Sequence, residues 1–278
     1  LSLKPVALVT GASTGIGLAC AQELAAQSYR VFGASRTAPA SNFLIEWVPI
    51  DVGSDDSVRE GVGRILEKCG SLDLVINCAG YAVAGALEDS TMEDAREQFE
   101  TNFFGVLRVC RAVLPAMRQR RSGLIVNVSS LGGLFGLPFQ GLYCASKFAL
   151  EGYTETLRYE MSPFGVRVVL LEPGDVRGTG ITRNRKHARG ANGNSAHRDS
   201  FRTVLQVIER EERDGAFPKA VAASLRHILK QRRPRLRYTV GHMPQRLAVL
   251  AKRLLIGAHF ETIIRSYYGL GGRIGRTD

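Results

Sequence analysis

The 278-residue chain predicts an α/β fold, a parallel sheet with helices on both faces, and three observations carry that prediction. Short apolar runs alternate along the chain with stretches whose apolar residues recur at helical spacing. The first apolar run passes through a glycine-rich turn straight into a helix start. No internal repeat and no linker-like stretch divides the chain, so its length suits one large domain, residues 1–278, that buries a full core.

In chain order, residues 6–9 form a short apolar run of the kind buried in a sheet, and Thr10-Gly11-Ala12-Ser13-Thr14-Gly15-Ile16-Gly17 follows it. Glycines in such a turn let backbone approach a pyrophosphate. The helix that follows, near 16–27, offers unpaired N–H groups and the positive end of its dipole. Six further strands are expected at 30–33, 46–50, 72–76, 124–128, 166–171 and 236–240. Helical periodicity lies between them near 55–68, 92–118, 143–161 and 217–230. Residues 183–200 are polar and basic, contain Gly190, Asn192, Gly193 and Asn194, and show no periodicity, so they read as a loop. Beyond the seventh strand, residues 244–270 read as a C-terminal extension of one or two helices. Its apolar stripe of Leu247, Leu250, Ala251, Leu254 and Leu255 is flanked by Arg246, Lys252 and Arg253. Such a stripe packs on the body or on another subunit, or lies on an anionic membrane surface.

Composition narrows the function classes. Five cysteines, odd in number and without a C-x-x-C pair, fit reduced thiols, and no metal cluster is indicated. No apolar stretch reaches the length of a membrane span, and no signal peptide is visible, so a cytoplasmic location is expected. The net charge of +11 is uneven: residues 1–174 carry 15 Lys/Arg against 18 Asp/Glu, and residues 175–278 carry 22 against 8. The basic part has no nucleic-acid reading module or interleaved aromatic platform, so nucleic acid is not expected as a partner. It suits solubility, capture of an acidic substrate, or weak peripheral association with an anionic membrane.

The chemistry-bearing stretch is Tyr143-Cys144-Ala145-Ser146-Lys147, with Ser130 thirteen residues upstream. One helical turn apart, the phenol and the ammonium share a face. A free tyrosine titrates near pH 10, too high for acid–base work at neutrality, and a nearby lysine charge favours the phenolate. A serine hydroxyl can bond the same reacting oxygen. Many surface helices carry a Tyr and a Lys at this spacing, so the pair alone does not assign a site. Of the eight tyrosines, only Tyr143 has Lys at +4.

From Val6 to about Val240 the chain resembles the short-chain dehydrogenase/reductase family, on Thr10 to Gly17, Asp51-Val52, Asn77-Cys78-Ala79-Gly80, Asn102, Ser130, Tyr143, Lys147 and Pro173-Gly174 in this order and spacing. Gly136 to Gly152 resembles more narrowly the 17-beta-hydroxysteroid dehydrogenase type 1 and retinol-reductase branch. The resemblance implies a Rossmann-like, doubly wound, seven-stranded sheet and a homodimer or homotetramer. It also implies a catalytic tetrad. Tyr143 exchanges a proton with the carbonyl or carbinol oxygen, Ser130 orients that oxygen, Lys147 binds the nicotinamide ribose and depresses the Tyr143 pKa, and Asn102 holds a helix kink and a water.

The family's cofactor contacts carry over to Gly11, Ser13, Thr14, Gly15, Ile16, Gly17, Asp51, Val52, Asn77, Ala79, Gly80, Tyr143, Lys147, Pro173, Gly174 and Val176. The segment after Gly174 departs from the usual spacing before Thr179, which leaves that contact unassigned. The end of the second strand lacks the acidic residue that selects NAD. It has Ser35 and Arg36 instead, and a guanidinium there suits a 2′-phosphate, so NADP(H) is the expected cofactor. An apolar pocket beside Ser130, built from residues 131–139, suits a hydrophobic carbonyl or alcohol of the steroid, retinoid or polyketide kind. A non-enzymatic NADP(H)-binding sensor or scaffold with the same fold is the alternative; the four catalytic residue types argue against it.

Overall fold

The seven expected strands form one sheet, and the order in which they pair places the cleft described below. The structure is a computed structural model that describes residues 4–37, 44–190 and 195–270. The chain runs β1 (Val6–Thr10), α1 (Gly15–Ala26), β2 (Arg30–Ser35), β3 (Glu46–Pro49), α2 (Asp55–Cys69), β4 (Leu74–Asn77) and β5 (Val83–Ala84). It continues through α3 (Met92–Phe99), a π turn (Glu100–Phe104), α4 (Gly105–Arg120), β6 (Gly123–Val128), α5 (Gly141–Met161) and β7 (Val166–Pro173). Next come α6 (Gly180–Arg183), β8 (Lys186–His187), α7 (Arg198–Asp214), α8 (Pro218–Leu229), β9 (Arg237–Val240), α9 (Met243–Leu254) and α10 (Gly257–Tyr267).

The main sheet has the order β3-β2-β1-β4-β6-β7-β9 and is parallel throughout. The strand order reverses between β1 and β4, and in such sheets the crevice at the carboxyl ends beside that point receives ligands. Helices α2, α4 and α5 cover one face through Val58, Ile65, Val109, Met117, Leu150 and Leu157. Helices α1 and α8 cover the other through Cys20, Leu24, Val221, Leu225 and Ile228. Each fully buried Leu, Ile or Val contributes about 1.5–3 kcal/mol relative to exposure.

Local chemistry sets the element ends. Ser54 caps α2 by accepting from Ser57 N at 3.2 Å, and Gly70 closes it in the left-handed region at φ 71°. Thr91 and Asp94 form a capping box that starts α3. The single helix expected at 92–118 is interrupted by the π turn, which places Asn102 inward and fully buried.

The expected loop at 183–200 is a correction. It holds the end of α6, the two-residue strand β8 and the start of α7, while residues 191–194 lie outside the described residues. Strand β8 pairs in parallel with β5, with Lys186 N donating to Ala82 O at 2.9 Å, a contact across about a hundred residues that no local pattern encodes. Helix α7 buries Val204, Ile208 and Glu212. Among the described residues, no helix is long and apolar enough to cross a membrane.

Candidate active site

Thr10 ends β1 with its hydroxyl accepting from Cys78 N at 3.0 Å and Ala79 N at 3.1 Å, which ties the glycine turn to the end of β4. Gly11 sits at φ 63°, and a Cβ there would stand 2.9 Å from Ala79 backbone. A Cβ on Gly17 would collide with the Gly11 carbonyl. These glycines are what let strand, turn and helix close on one another. Thr14, at the α1 N-cap, makes no side-chain cap, so the first-turn N–H groups of α1 keep their capacity for an anion.

A cleft of about 1230 Å³ runs from this turn across the sheet's carboxyl end. It gathers most of the expected cofactor residues: Gly11, Ser13, Thr14, Ile16 and Gly17 from the turn, Ser35 and Arg36 from β2, Asp51 and Val52 after β3, and Ala79 and Gly80 after β4. Pro173, Gly174 and Val176 after β7 close its far wall. Asp51 is shaped by its own turn, its Oδ1 accepting from Gly53 N at 2.9 Å. The donor set fits a dinucleotide: an open helix N-terminus, a glycine cradle that a side chain would fill, and an exposed guanidinium at Arg36.

Ser130, Tyr143 and Lys147 meet at the middle of the cleft. Tyr143 and Lys147 rise from the first turns of α5, and Lys147 Nζ lies 5.8 Å from the Tyr143 ring centre. Ser130 follows β6, accepts from Gly132 N at 3.1 Å and hydrogen-bonds the Tyr143 phenol. Lys147 Nζ donates to Val128 O at 2.9 Å. Burial brings this lysine down to about 8, against the opposing pull of Cys78 and Glu151. Burial also holds the Tyr143 phenol above its ordinary range; the Ser130 hydrogen bond opposes this, and Asp175 and Glu212 add to it. The expected lowering of Tyr143 by Lys147 is not seen in this structure: burial raises the phenol, and the groups that act on it are Ser130, Cys144, Asp175 and Glu212.

Three expected residues do not line the cleft. Asn77 is buried, with Nδ2 donating to Asn127 Oδ1 at 2.8 Å, and Asn127 in turn donates to Thr154 Oγ1 at 2.9 Å. Its side chain thus joins β4, β6 and α5 and points away from the ligand side, because a central strand's side chains alternate between faces. Asn102 sits behind the site and clasps Tyr81, donating to its O at 3.0 Å and accepting from its N at 3.1 Å, and also donates to Ser146 Oγ at 3.3 Å. Gly15, at φ 57°, has Thr179 against it: a Cβ there would stand 3.1 Å from Thr179 Cα. Thr179 is buried and lines the cleft, so the unusual spacing after Gly174 still delivers it there.

Sequence reasoning missed the acidic wall opposite Tyr143. Asp175, half-buried and facing Glu212 and Glu211, is pushed up to about 7, chiefly by desolvation. Gln245 of α9 donates to Asp175 Oδ2 at 2.6 Å, and its own Oε1 is buried with no protein partner. Glu212 is engaged by Arg185 and accepts from Thr182 Oγ1 at 2.8 Å. Only the neighbouring Pro173-Gly174 hinted at Asp175; Glu212 and Gln245 arrive through tertiary packing. Leu131, Phe135, Leu137, Ile208, Ala248 and Tyr268 supply the apolar remainder. Among the described residues, no group of His, Cys, Asp and Glu is arranged to hold a metal ion.

The chain matches the short chain dehydrogenase family model over residues 5–190. It is similar to 3-ketodihydrosphingosine reductase of Bacteroides thetaiotaomicron, 41% identical over 95% of this chain and 98% of that protein. Human retinol dehydrogenase 8 is 39% identical over 61% of this chain and 58% of that protein. A short-chain dehydrogenase from Streptomyces avermitilis superposes with a TM-score of 0.83 at 29% identity, covering 98% of this chain and 100% of that one. Similar solved chains are described with 5-hydroxy-NADP in one case and NAD in another.

Proposed function

The chain belongs to the short-chain dehydrogenase/reductase family and is an oxidoreductase that takes a nicotinamide cofactor; from that premise we propose that it is an NADPH-dependent reductase of a long-chain, amine-bearing ketone of the 3-ketodihydrosphingosine kind. The observation that carries the reading is the junction at Tyr143. A glycine-cradled cleft meets an apolar chamber there, and an acidic wall stands beside the phenol.

When bound, the reduced nicotinamide supplies a hydride to the carbonyl carbon. Tyr143 gives its proton to the carbonyl oxygen, and Ser130 hydrogen-bonds that oxygen as charge develops on it. A phenol is protonated at neutral pH, the form a reductase needs. Burial makes Tyr143 a weaker acid, so the Ser130 hydrogen bond and the neighbouring Lys147 have to offset that burial when the proton is given. Lys147, held by Val128 O, places a cation beneath the phenol that stabilises the phenolate left behind. Arg36 and Ser35 line the cleft at the end of β2, and a guanidinium and a hydroxyl there suit a 2′-phosphate, which supports NADPH over NADH.

Among hydrophobic ketones, Asp175 favours one with a neighbouring ammonium. Glu212 is engaged by Arg185, whereas Asp175 accepts a neutral amide hydrogen bond and keeps capacity for a cation. The same carboxylates disfavour an acidic substrate, despite the basic C-terminal third.

The test is NADPH oxidation with a panel: a long-chain 2-amino-3-ketone, the same ketone without the amine, and a steroid ketone. The amine-bearing ketone should lead in kcat/KM by roughly tenfold or more, as a buried charge pair commonly contributes. NADPH binding without oxidation by any ketone would instead favour the sensor reading.

A further inference from the structure

Helices α9 and α10 pack on the body through one side only. Ala248, Val249, Ala251 and Ile264, with Phe260, seat against Leu131 and Phe135. The opposite side of α9 carries Met243, Leu247, Leu250 and Leu254 at spacings of four, three and four, one continuous stripe. All four are exposed, Leu254 to 73%, and the turn after α9 adds Leu255 and Ile256, the latter 75% exposed. Solvated leucines in such a row are unusual on a soluble surface and mark an interaction site.

Charge identifies the partner. Residues 243–267 carry Arg246, Lys252, Arg253 and Arg265 against the single carboxylate Glu261. Arg246 and Arg253 are exposed along one edge of the stripe, seven residues apart. Lys252, expected from sequence to flank the stripe, instead lies on the packed side with Nζ 5.2 Å from the Phe260 ring centre. An apolar stripe edged by cations complements the anionic headgroups and acyl boundary of a bilayer. A second copy fits less well, because it would bring its own cationic edge against this one. The position matters too: Leu247, Ile263 and Tyr267 belong both to the exposed surface and to the cleft lining, so the stripe borders the mouth of the active site.

We infer that the outer face of α9 and the α9–α10 turn form a docking surface for an anionic lipid bilayer, which sets the mouth of the cleft against the membrane. Docking gives an apolar substrate a path from the acyl region to Tyr143 without crossing water. The association is reversible, since helices lying in an interface with a few cations bind weakly and respond to salt.

The test is co-sedimentation of the full chain with phosphatidylcholine vesicles, and with vesicles in which about one-third of the lipid is phosphatidylglycerol. The pelleted fraction should be several-fold higher with the anionic vesicles at low salt and should fall to the phosphatidylcholine level in a few hundred millimolar salt. Leu250→Ser with Leu254→Ser, two outward residues that do not line the cleft, should abolish pelleting while leaving the melting temperature and the turnover of a detergent-dispersed ketone unchanged. Equal recovery in the supernatant with both vesicle types overturns the inference, as does pelleting that survives the double substitution. So does a parent dimer that the double substitution turns into monomers, which would assign the stripe to a second copy. Because binding is read without turnover, failure here leaves the proposed reduction standing, and absence of turnover leaves the docking result readable.

Discussion

Replacing Tyr143 with Phe separates the chemistry of the site from its architecture. The ring packs with Ala82 and Cys144, with Leu137 and Ile181 beside it, and a Cβ on Gly132 would stand 3.2 Å from its Cε1. Phenylalanine therefore fills the same space in the same orientation. What goes is the oxygen, with its hydrogen bond to Ser130 and the proton it gives. A hydrogen bond of this kind contributes about 0.5–1.5 kcal/mol net, and here desolvation of the phenol offsets part of it. The melting temperature should move by no more than ~4 °C, at a few degrees per kcal/mol for a chain of this size. Turnover should fall far more. A positioned general acid supplies roughly two to four orders of magnitude, which is about 2.7–5.4 kcal/mol of barrier. The assay is steady-state NADPH oxidation at saturating ketone, alongside a fluorescence titration of NADPH and a thermal melt. NADPH affinity should hold, because Lys147 and the glycine cradle are untouched. A variant that keeps turnover within a factor of a few of the parent would show that Tyr143 is not the proton donor.

Other perturbations probe neighbouring parts of the account. Arg36→Asp puts a carboxylate where a 2′-phosphate is expected, and like charges so placed cost several kcal/mol, so the ratio of kcat/KM for NADPH over NADH should fall more than tenfold; a parent enzyme that already prefers NADH contradicts the assignment. Asn77→Ala removes the donor to Asn127 Oδ1 and should cost about 1–3 kcal/mol of stability with NADPH affinity unchanged; lost affinity at an unchanged melting temperature would return Asn77 to the cofactor. Asp175 has its carboxyl raised to about 7, so the neutral form is the one the fold favours. Its contribution to stability is present below the ordinary carboxylate range and is lost as pH rises through 7. Asp175→Asn should therefore melt higher than the parent above pH ~7, with the advantage vanishing toward pH ~4. In the parent, KM for the amine-bearing ketone should rise as pH falls through about 7, whereas KM for the amine-free ketone stays flat; parallel profiles would remove Asp175 from substrate recognition.

The five inner strands of the main sheet are legible in the sequence because central parallel strands are buried on both faces and read as mostly apolar runs. The half-buried edge strands β3 and β9 are marked only by short runs that mix apolar with charged or polar residues. Gly123–Val128 and Leu74–Asn77 are buried throughout, and their only polar residues, Asn127 and Asn77, are joined by a hydrogen bond from Asn77 Nδ2 to Asn127 Oδ1. The glycine turn, Ser130, Tyr143 and Lys147 are equally legible, since each follows directly from a strand end or a helix turn. Helix α7 is not, because its buried face of Val204, Ile208 and Glu212 is sparse and set among charges. The π turn leaves no residue pattern in Glu100–Phe104, yet it decides that Asn102 clasps Tyr81 behind the site and does not face the cleft. Gln245 and Glu212 reach Asp175 and Arg185 from helices far along the chain, and only the packed fold brings that acidic wall to Tyr143.

The measurement closest to the central claim uses NADPH carrying deuterium at the transferable position of its nicotinamide, with a long-chain 2-amino-3-ketone as acceptor. The account predicts one deuterium per product, on the carbinol carbon, formed in step with NADPH consumed and lost together with turnover in Tyr143→Phe. NADPH consumed without label in the alcohol, or bound with no alcohol formed from any ketone, would contradict it.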